Sequence, residues 1–245
     1  MFSNQQSSNP ILNAKVFRES SAGSTAMSIN GVMNKSLIFL GITVLSAAFA
    51  WTNLQPGLMT TIVPVILALI VYFVTASSPH LASVTGPIYC VLEGVFLGVL
   101  SSAIETRFPG IVVNSVVLTF GVTFFMLMSY KNGYIRATPM LAKIVGAGFF
   151  AILLLSLTSI ILSLFGSSLL MPLHEGGMIG IGYSLLIVGL TAFSLILDFD
   201  QIESSVNSGA PQNLEWWSAF GLMVTLIFLY YNILILLMKL QSSDD

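Results

Sequence analysis

Seven long apolar stretches constrain what this chain can fold into more strongly than any motif does. Each is 19 to 23 residues long, and a helix needs roughly 20 residues to cross about 30 Å of hydrocarbon. We expect helices to span the membrane, because an open sheet edge in lipid would leave backbone groups unpaired. The stretches cover residues 36–54, 57–76, 86–104, 110–130, 144–165, 176–197 and 216–238. The sequence therefore predicts an all-α integral membrane protein with seven transmembrane helices.

Charge is scarce and lies almost entirely outside these stretches. Only 7% of the residues are charged, against about 25% in soluble domains, so an ordinary soluble enzyme is excluded and we expect no enzymatic activity. A net charge of −2 argues against a nucleic-acid partner and leaves the lipid bilayer as the expected one. The single cysteine, Cys90, excludes a disulfide framework or a multi-cysteine metal cluster.

The charged and polar residues predict how the chain is organised around the membrane. Residues 1–30 are polar and rich in Ser and Asn, which predicts a disordered tail, followed by a seven-span domain over 31–240 and a short tail over 241–245. Six basic residues fall on the N-terminal side of the membrane and two on the other side, which places the N-terminus in the cytoplasm and the C-terminus outside. The six are Lys15, Arg18, Lys35, Lys131, Arg136 and Lys143, and the two are Arg107 and Lys239.

Glu93 is the one charged residue inside an apolar stretch. It lies seven residues past Gly86, which places it roughly 10 Å into the membrane at about 1.5 Å per residue. A carboxylate at such a depth costs about 2.5 kcal/mol or more. Two interpretations stay open: a hydrogen-bonded side chain that holds helices together, and an ion or proton site that faces the interior of the bundle.

Polar side chains near the last two stretches supply the other candidates. Asp198, Asp200 and Glu203 follow the sixth stretch directly. Asp198 comes straight after an apolar run and is expected to be half-buried, whereas Asp200 and Glu203 are typical of a solvated helix end. Asn232 is the only strongly polar side chain in the core of the last stretch, where an asparagine often only bonds neighbouring helices.

Four short stretches resemble the Bax inhibitor-1 (transmembrane Bax-inhibitor-motif, YccA-like) family. The C-terminal pair is LILDFDQI at 195–202, and FGL at 220–222 running into LYYNI at 229–233. NPIL at 9–12 and MSINGVMNK at 27–35 are similar to the bacterial subgroup. The resemblance covers nearly the whole chain. It implies six helices wrapped around a central C-terminal helix, in a bacterial cytoplasmic (inner) membrane.

The resemblance also implies a function, a pH-sensitive calcium leak gated by two carboxylates that share a proton. The acid of the sixth helix corresponds to Asp198, and the position of the second acid holds Asn232. Glu93 is then the remaining carboxylate partner, with Asp200 and Glu215 as accessory candidates. The resemblance implies no resident cofactor, only a calcium ion that binds transiently, and the metal ligands stay undefined.

Three functions remain open at this stage. The leading hypothesis is a weak cation (calcium) leak channel, and we predict that Glu93 and Asp198 lie within about 12 Å of each other, the limit of a water-bridged contact. The alternative is a non-conducting regulator that binds a membrane protease or another membrane complex. The third is a proton-coupled transporter that uses Glu93, although no internal repeat typical of such transporters is visible.

Overall fold

The computed structural model describes residues 26–165 and 177–243 as a bundle of seven long helices. These are α1 Ile29–Asn53, α2 Leu58–Ser77, α3 Ala82–Glu105, α4 Ile111–Lys131, α5 Pro139–Leu164, α6 Met178–Asn207 and α7 Leu214–Ser243, with a single 3-10 turn at Pro79–Leu81 before α3. All seven are long and apolar enough to cross a membrane. The described residues contain no β-strand, only an isolated bridge between Ala26 and Pro211. The predicted all-α, seven-span class is confirmed.

The helices extend beyond the apolar stretches that predicted them. Helices α6 and α7 have 30 residues each, which is about 45 Å at 1.5 Å per residue, so both exceed the hydrocarbon thickness of about 30 Å. Helix α6 continues for ten residues past the predicted end at Leu197. The backbone hydrogen bonds of a helix can continue beyond the apolar residues that face lipid. The predicted tail over 1–30 lies outside the described residues as far as residue 25, and α1 begins at Ile29.

The C-terminal helix α7 is the centre of the bundle. It packs along α1, α3, α4 and α6. Rings from the two remaining helices also reach it: Tyr72 of α2 lies 6.1 Å from Phe220, and Phe149 of α5 lies 6.0 Å from Phe228, both measured between ring centroids. The apolar character of α7 on all sides suits this position. The arrangement of six helices around a seventh is therefore confirmed.

Glycines allow α1 and α3 to approach each other closely. A Cβ atom at Gly94 would collide with the Ser46 side chain, and one at Gly98 would collide with the backbone of Ala47. Small residues at such contacts are the usual means of packing helices in lipid, where no hydrophobic driving force joins them. The contact fixes α3 against α1, and with it the position of Glu93 next to Gly94.

Candidate functional site

A cavity of about 240 Å³ lies between α2, α6 and α7 and includes the predicted site residue Asp198. Its polar lining comes from Asp198 and Gln201 of α6 and from Ser218 and Thr225 of α7. Asp198 and Gln201 share one face of α6 because they are three residues apart. The extra helical turns of α6 past Leu197 therefore form one wall of this cavity.

The Asp198 carboxyl group is only partly satisfied by hydrogen bonds. The Thr225 side chain is its polar neighbour, but the Thr225 hydroxyl donates to the Gly221 carbonyl oxygen at 3.4 Å. Asp198 Oδ2 is buried and has no hydrogen-bond partner among the described residues. A buried acceptor without a partner is costly, and much more so when it carries charge. A proton or a cation at this oxygen would remove that cost, which makes Asp198 the most reactive group in the cavity.

Glu93 reaches this cavity only through intervening aromatic rings. The polar neighbour of its carboxyl group is Tyr89, one turn earlier on α3. The Tyr89 ring packs edge-on against Phe220 at 5.1 Å between centroids, and Phe220 lines the cavity. Helices α3 and α6 make at most marginal contact with each other, and both pack on α7. Tyr89 and Phe220 are thus the connection between the two acids, and sequence reasoning missed both.

Asn232 has a partner within its own helix. Its Nδ2 donates a hydrogen bond to the Phe228 carbonyl oxygen at 2.7 Å, and the side chain is buried. It lies seven residues after Thr225, about 10 Å further along α7. Asn232 therefore sits about two turns away from the level at which Asp198 faces α7.

The accessory candidate Asp200 lies on another face of α6. The Tyr130 hydroxyl of α4 donates to Asp200 Oδ1 at 3.2 Å and lies 2.6 Å from Glu203 Oε2. Asp200 and Glu203 are three residues apart and together hold the end of α4 against α6. The C-terminal end of α6, which the sequence predicts to be solvated, therefore also forms a polar contact with α4.

The other accessory candidate, Glu215, is almost completely buried at the start of α7. Its carboxylate accepts hydrogen bonds from the Ser28 backbone N–H at 2.9 Å and the Ser28 hydroxyl at 3.2 Å, and it forms an ion pair with Lys35. A Cβ atom at Gly31 would collide with this carboxylate. The Lys35 ammonium group also lies 5.2 Å from the Trp216 ring centroid, a cation–π distance. Sequence reasoning missed Lys35 as the partner, because 180 residues separate it from Glu215.

Lys239 follows the last apolar stretch in the sequence, but in the structure it is part of a membrane helix. It belongs to α7, which continues to Ser243, and it is buried. Its ammonium group donates to Ser184 Oγ at 3.0 Å and to the Gly180 carbonyl oxygen at 3.3 Å. A lysine near the end of an apolar stretch usually reaches for water, whereas here the start of α6 supplies the acceptors.

In the described part of the chain, no group of three or more His, Cys, Asp or Glu side chains is arranged to hold a metal ion. A cation near Asp198 would therefore meet one carboxylate together with neutral oxygens such as Thr225 Oγ1, Gln201 Oε1 and Ser218 Oγ. Calcium normally takes six to eight oxygen ligands. These oxygens are fewer than a calcium ion normally takes, so a cation here would keep part of its hydration shell.

The comparison with protein families gives one finding: the profile of the family described as Bax inhibitor 1 like matches residues 9–242. The match extends over all seven helices and over both sequence regions that suggested the resemblance. No curated protein and no solved structure matches the chain significantly.

Proposed function

The chain belongs to the Bax inhibitor 1 like family, and from that premise we propose that it is a channel for a weak, pH-sensitive leak of cations, calcium among them. The observation that carries the proposal is the buried Asp198 Oδ2, which has no hydrogen-bond partner among the described residues and belongs to a side chain that lines a cavity. Such an oxygen changes its interactions whenever it gains or loses a proton, as a pH-sensitive element must.

Aromatic side chains pack together on one side of the cavity. Tyr72, Tyr89 and Phe220 pack on one another there, with ring centroids 5.1 to 6.1 Å apart along the chain of contacts. Phe220 belongs to α7, as does Thr225, the polar neighbour of Asp198. In the proposed mechanism an ionised Asp198 draws water and a cation into the cavity, which displaces α7 relative to α2 and α6 and separates the rings. A protonated Asp198 donates a hydrogen bond locally and leaves the rings packed.

Glu93 is the second titratable group in this proposal. Through Tyr89 it can alter the position of the Phe220 ring from the side of α3, while Asp198 acts on α7 from the side of α6. Two groups that act on the same contact between helices are energetically coupled, so the effects of mutating Glu93 and Asp198 are not additive. Asn232 and its hydrogen bond to Phe228 stiffen the same helix further along and take no part in proton transfer.

Flux into liposomes loaded with a calcium-sensitive dye tests the channel between pH 6 and 8. We expect flux above empty liposomes, a loss of its pH dependence in Asp198→Asn, and a change in Glu93→Gln that does not add to it. Asp200→Asn is the matched control: it lies two residues away on the same helix, about 200° around the axis, and should leave the pH profile unchanged. No flux above empty liposomes at any pH would refute the proposal.

The proposed location is a bacterial cytoplasmic membrane with the N-terminus inside and the C-terminus outside. The contacts of Tyr130 with Asp200 and of Ser28 with Glu215 support it, because they gather the start of α1, the end of α4 and the turn between α6 and α7 at one end of the bundle. Lys35, Lys131, Arg136 and Lys143 lie at that same end, as the positive-inside rule requires of a cytoplasmic face. Labelling of single cysteines placed in the two sets of loops, in intact cells with a reagent that does not cross membranes, tests the orientation.

A second candidate function is a non-conducting regulator that binds a membrane protease or another membrane complex. Helix α5 favours it, because this helix packs chiefly on α6 and presents most of its apolar side chains outwards. Phe150 and Leu153, for example, are 61% and 54% exposed. Crosslinking from α5 in native membranes, followed by mass spectrometry, distinguishes the two: a stable partner without flux supports the regulator, and flux without a partner supports the channel.

A further inference from the structure

A second, larger cavity of about 410 Å³ is a groove that lies between α1 and α4 and has α3 and α7 as its floor. Helices α1 and α4 make at most marginal contact with each other, so the groove is open sideways, towards lipid. Along α1 it runs from Leu40 to Thr52, about 18 Å at 1.5 Å per residue. That length is close to the roughly 15 Å of hydrocarbon in one leaflet, and the volume is typical of a ligand site.

Nothing in the lining is available to bind a polar ligand. No charged side chain lines the groove. Its hydroxyl groups are occupied within the protein: Thr43, Thr52 and Thr119 donate to carbonyl oxygens of their own helices. Ser101 and Tyr230 share a hydrogen bond of 2.8 Å on the groove floor. The chemistry of this surface therefore fits a hydrocarbon chain.

The end of the groove away from the N-terminus of α1 has an interfacial side chain in its lining, and a cationic side chain lies in the helix connection at the same end of the bundle. Trp51 lines the groove there, and tryptophan is enriched at the level of lipid headgroups. The connection from α3 to α4 contains Arg107, which is exposed and forms no ion pair within the described ranges. The nearby Glu105 carboxylate is engaged elsewhere, because it accepts hydrogen bonds from the Gly110 and Val112 backbone N–H groups at 2.6 and 3.0 Å.

We propose that this groove binds one acyl chain of an anionic phospholipid and that Arg107 binds its phosphate group. A guanidinium group matches the geometry of phosphate oxygens and forms paired, charge-assisted hydrogen bonds with them. The acyl chain enters past Trp51 and lies against Ser101 and Tyr230. The lipid is therefore a ligand of the central helix α7. The proposal does not rest on the proposed channel function, because the site requires neither Asp198 nor Glu93.

Photolabelling of the full chain in nanodiscs tests the site. The probe is a phosphatidylglycerol with a diazirine on its acyl chain, and mass spectrometry maps the adducts. Val116→Trp places a large ring in the groove and should lower labelling of the groove residues by at least about fivefold, since a filled groove leaves no space for a chain. Val117→Trp is the matched control, because Val117 is 63% exposed and does not line the groove. It should leave the labelling unchanged.

Further variants keep the result interpretable. Ala48→Phe fills the groove from the α1 side and should lower the labelling as Val116→Trp does. Leu45→Phe, on the outer side of α1, should leave the labelling unchanged. With two groove variants and two controls, one misfolded variant does not decide the outcome. The same diazirine chain on phosphatidylcholine should label about tenfold less, and Arg107→Gln should remove that difference. Equal labelling in Val116→Trp and Val117→Trp would refute the groove site. Equal labelling by both phospholipid headgroups would refute the role of Arg107.

Discussion

Two acids near the same end of the bundle, the buried Glu215 and the half-buried Asp198, differ in almost every interaction. Glu215 accepts hydrogen bonds from the backbone and hydroxyl of Ser28 and pairs with Lys35. Asp198 has Thr225 as its neighbour and one carboxylate oxygen without a partner among the described residues. A buried charge is tolerated when it is paired, so Glu215 belongs to the architecture of the protein. Asp198 has the partly satisfied environment expected of a group that changes state.

The strongest test of the difference between Glu215 and Asp198 is to remove Lys35, the ion-pair partner of Glu215. Lys35→Met leaves a carboxylate buried without its cation, which should lower the free energy of unfolding by about 3–5 kcal/mol. Thermal unfolding in detergent, followed by circular dichroism, measures the loss. Lys35→Arg keeps the positive charge and should recover most of the stability. A loss below about 1 kcal/mol in Lys35→Met would show that the pair behaves like an exposed one.

Gly31→Ala should have the next largest effect. The new Cβ would collide with the Glu215 carboxylate and push it away from Ser28 and Lys35, at a cost of about 1–3 kcal/mol in unfolding free energy. Gly41→Ala is the matched control on the same helix, because a Cβ there meets nothing within 4 Å. The control should be neutral or stabilising, since alanine favours helices. Equal melting temperatures for the two variants would contradict the close approach.

Tyr130→Phe probes the polar contact that Asp200 and Glu203 make with α4. Both acids keep access to water when the hydroxyl is lost, so the free energy of unfolding should fall by only about 1 kcal/mol. Tyr134→Phe, at a side chain that is 83% exposed, should change nothing measurable. The two variants are compared by their melting temperatures in the same detergent. If Tyr130→Phe lowers the free energy of unfolding by more than about 3 kcal/mol, Asp200 and Glu203 are structural acids like Glu215 and do not behave as exposed groups.

Asp198→Asn should have the smallest effect on stability of the four. It removes a buried charge whose Oδ2 has no partner in the described structure, so the free energy of unfolding should stay within about 1 kcal/mol of the original value or rise. The melting temperature measures it alongside Glu215→Gln, which should be clearly destabilising. A loss above about 2 kcal/mol in Asp198→Asn would mean that Asp198, like Glu215, is a structural acid.

The sequence predicted the fold well and the polar contacts poorly, for identifiable reasons. Long apolar stretches predict spanning helices because lipid leaves the backbone no other way to pair its polar groups. The contact between Lys35 and Glu215 joins residues 180 positions apart, and neither periodicity nor local spacing encodes such a pair. The sequence places Lys239 on the outer side of the membrane, and its acceptors on α6 become visible only once α6 and α7 are packed together.

For the candidate site, the sequence identified the acids but not what surrounds them. Glu93 and Asp198 stood out because charge in an apolar setting is expensive. Tyr89 and Phe220, which connect them, look like any other apolar or aromatic residue in a membrane helix.

The central position of α7 has a consequence for how the protein is made. The ribosome synthesises the chain from α1 onwards, so the helix that fills the middle of the bundle enters the membrane last. Until then Lys35 has no counter-ion, the cavity of Asp198 lacks a wall, and α1 to α6 surround a gap. The nascent chain must therefore assemble as a loose ring that closes around its final segment. A ribosome that stalls before residue 214 would release a product without a core, which membrane quality-control proteases should remove.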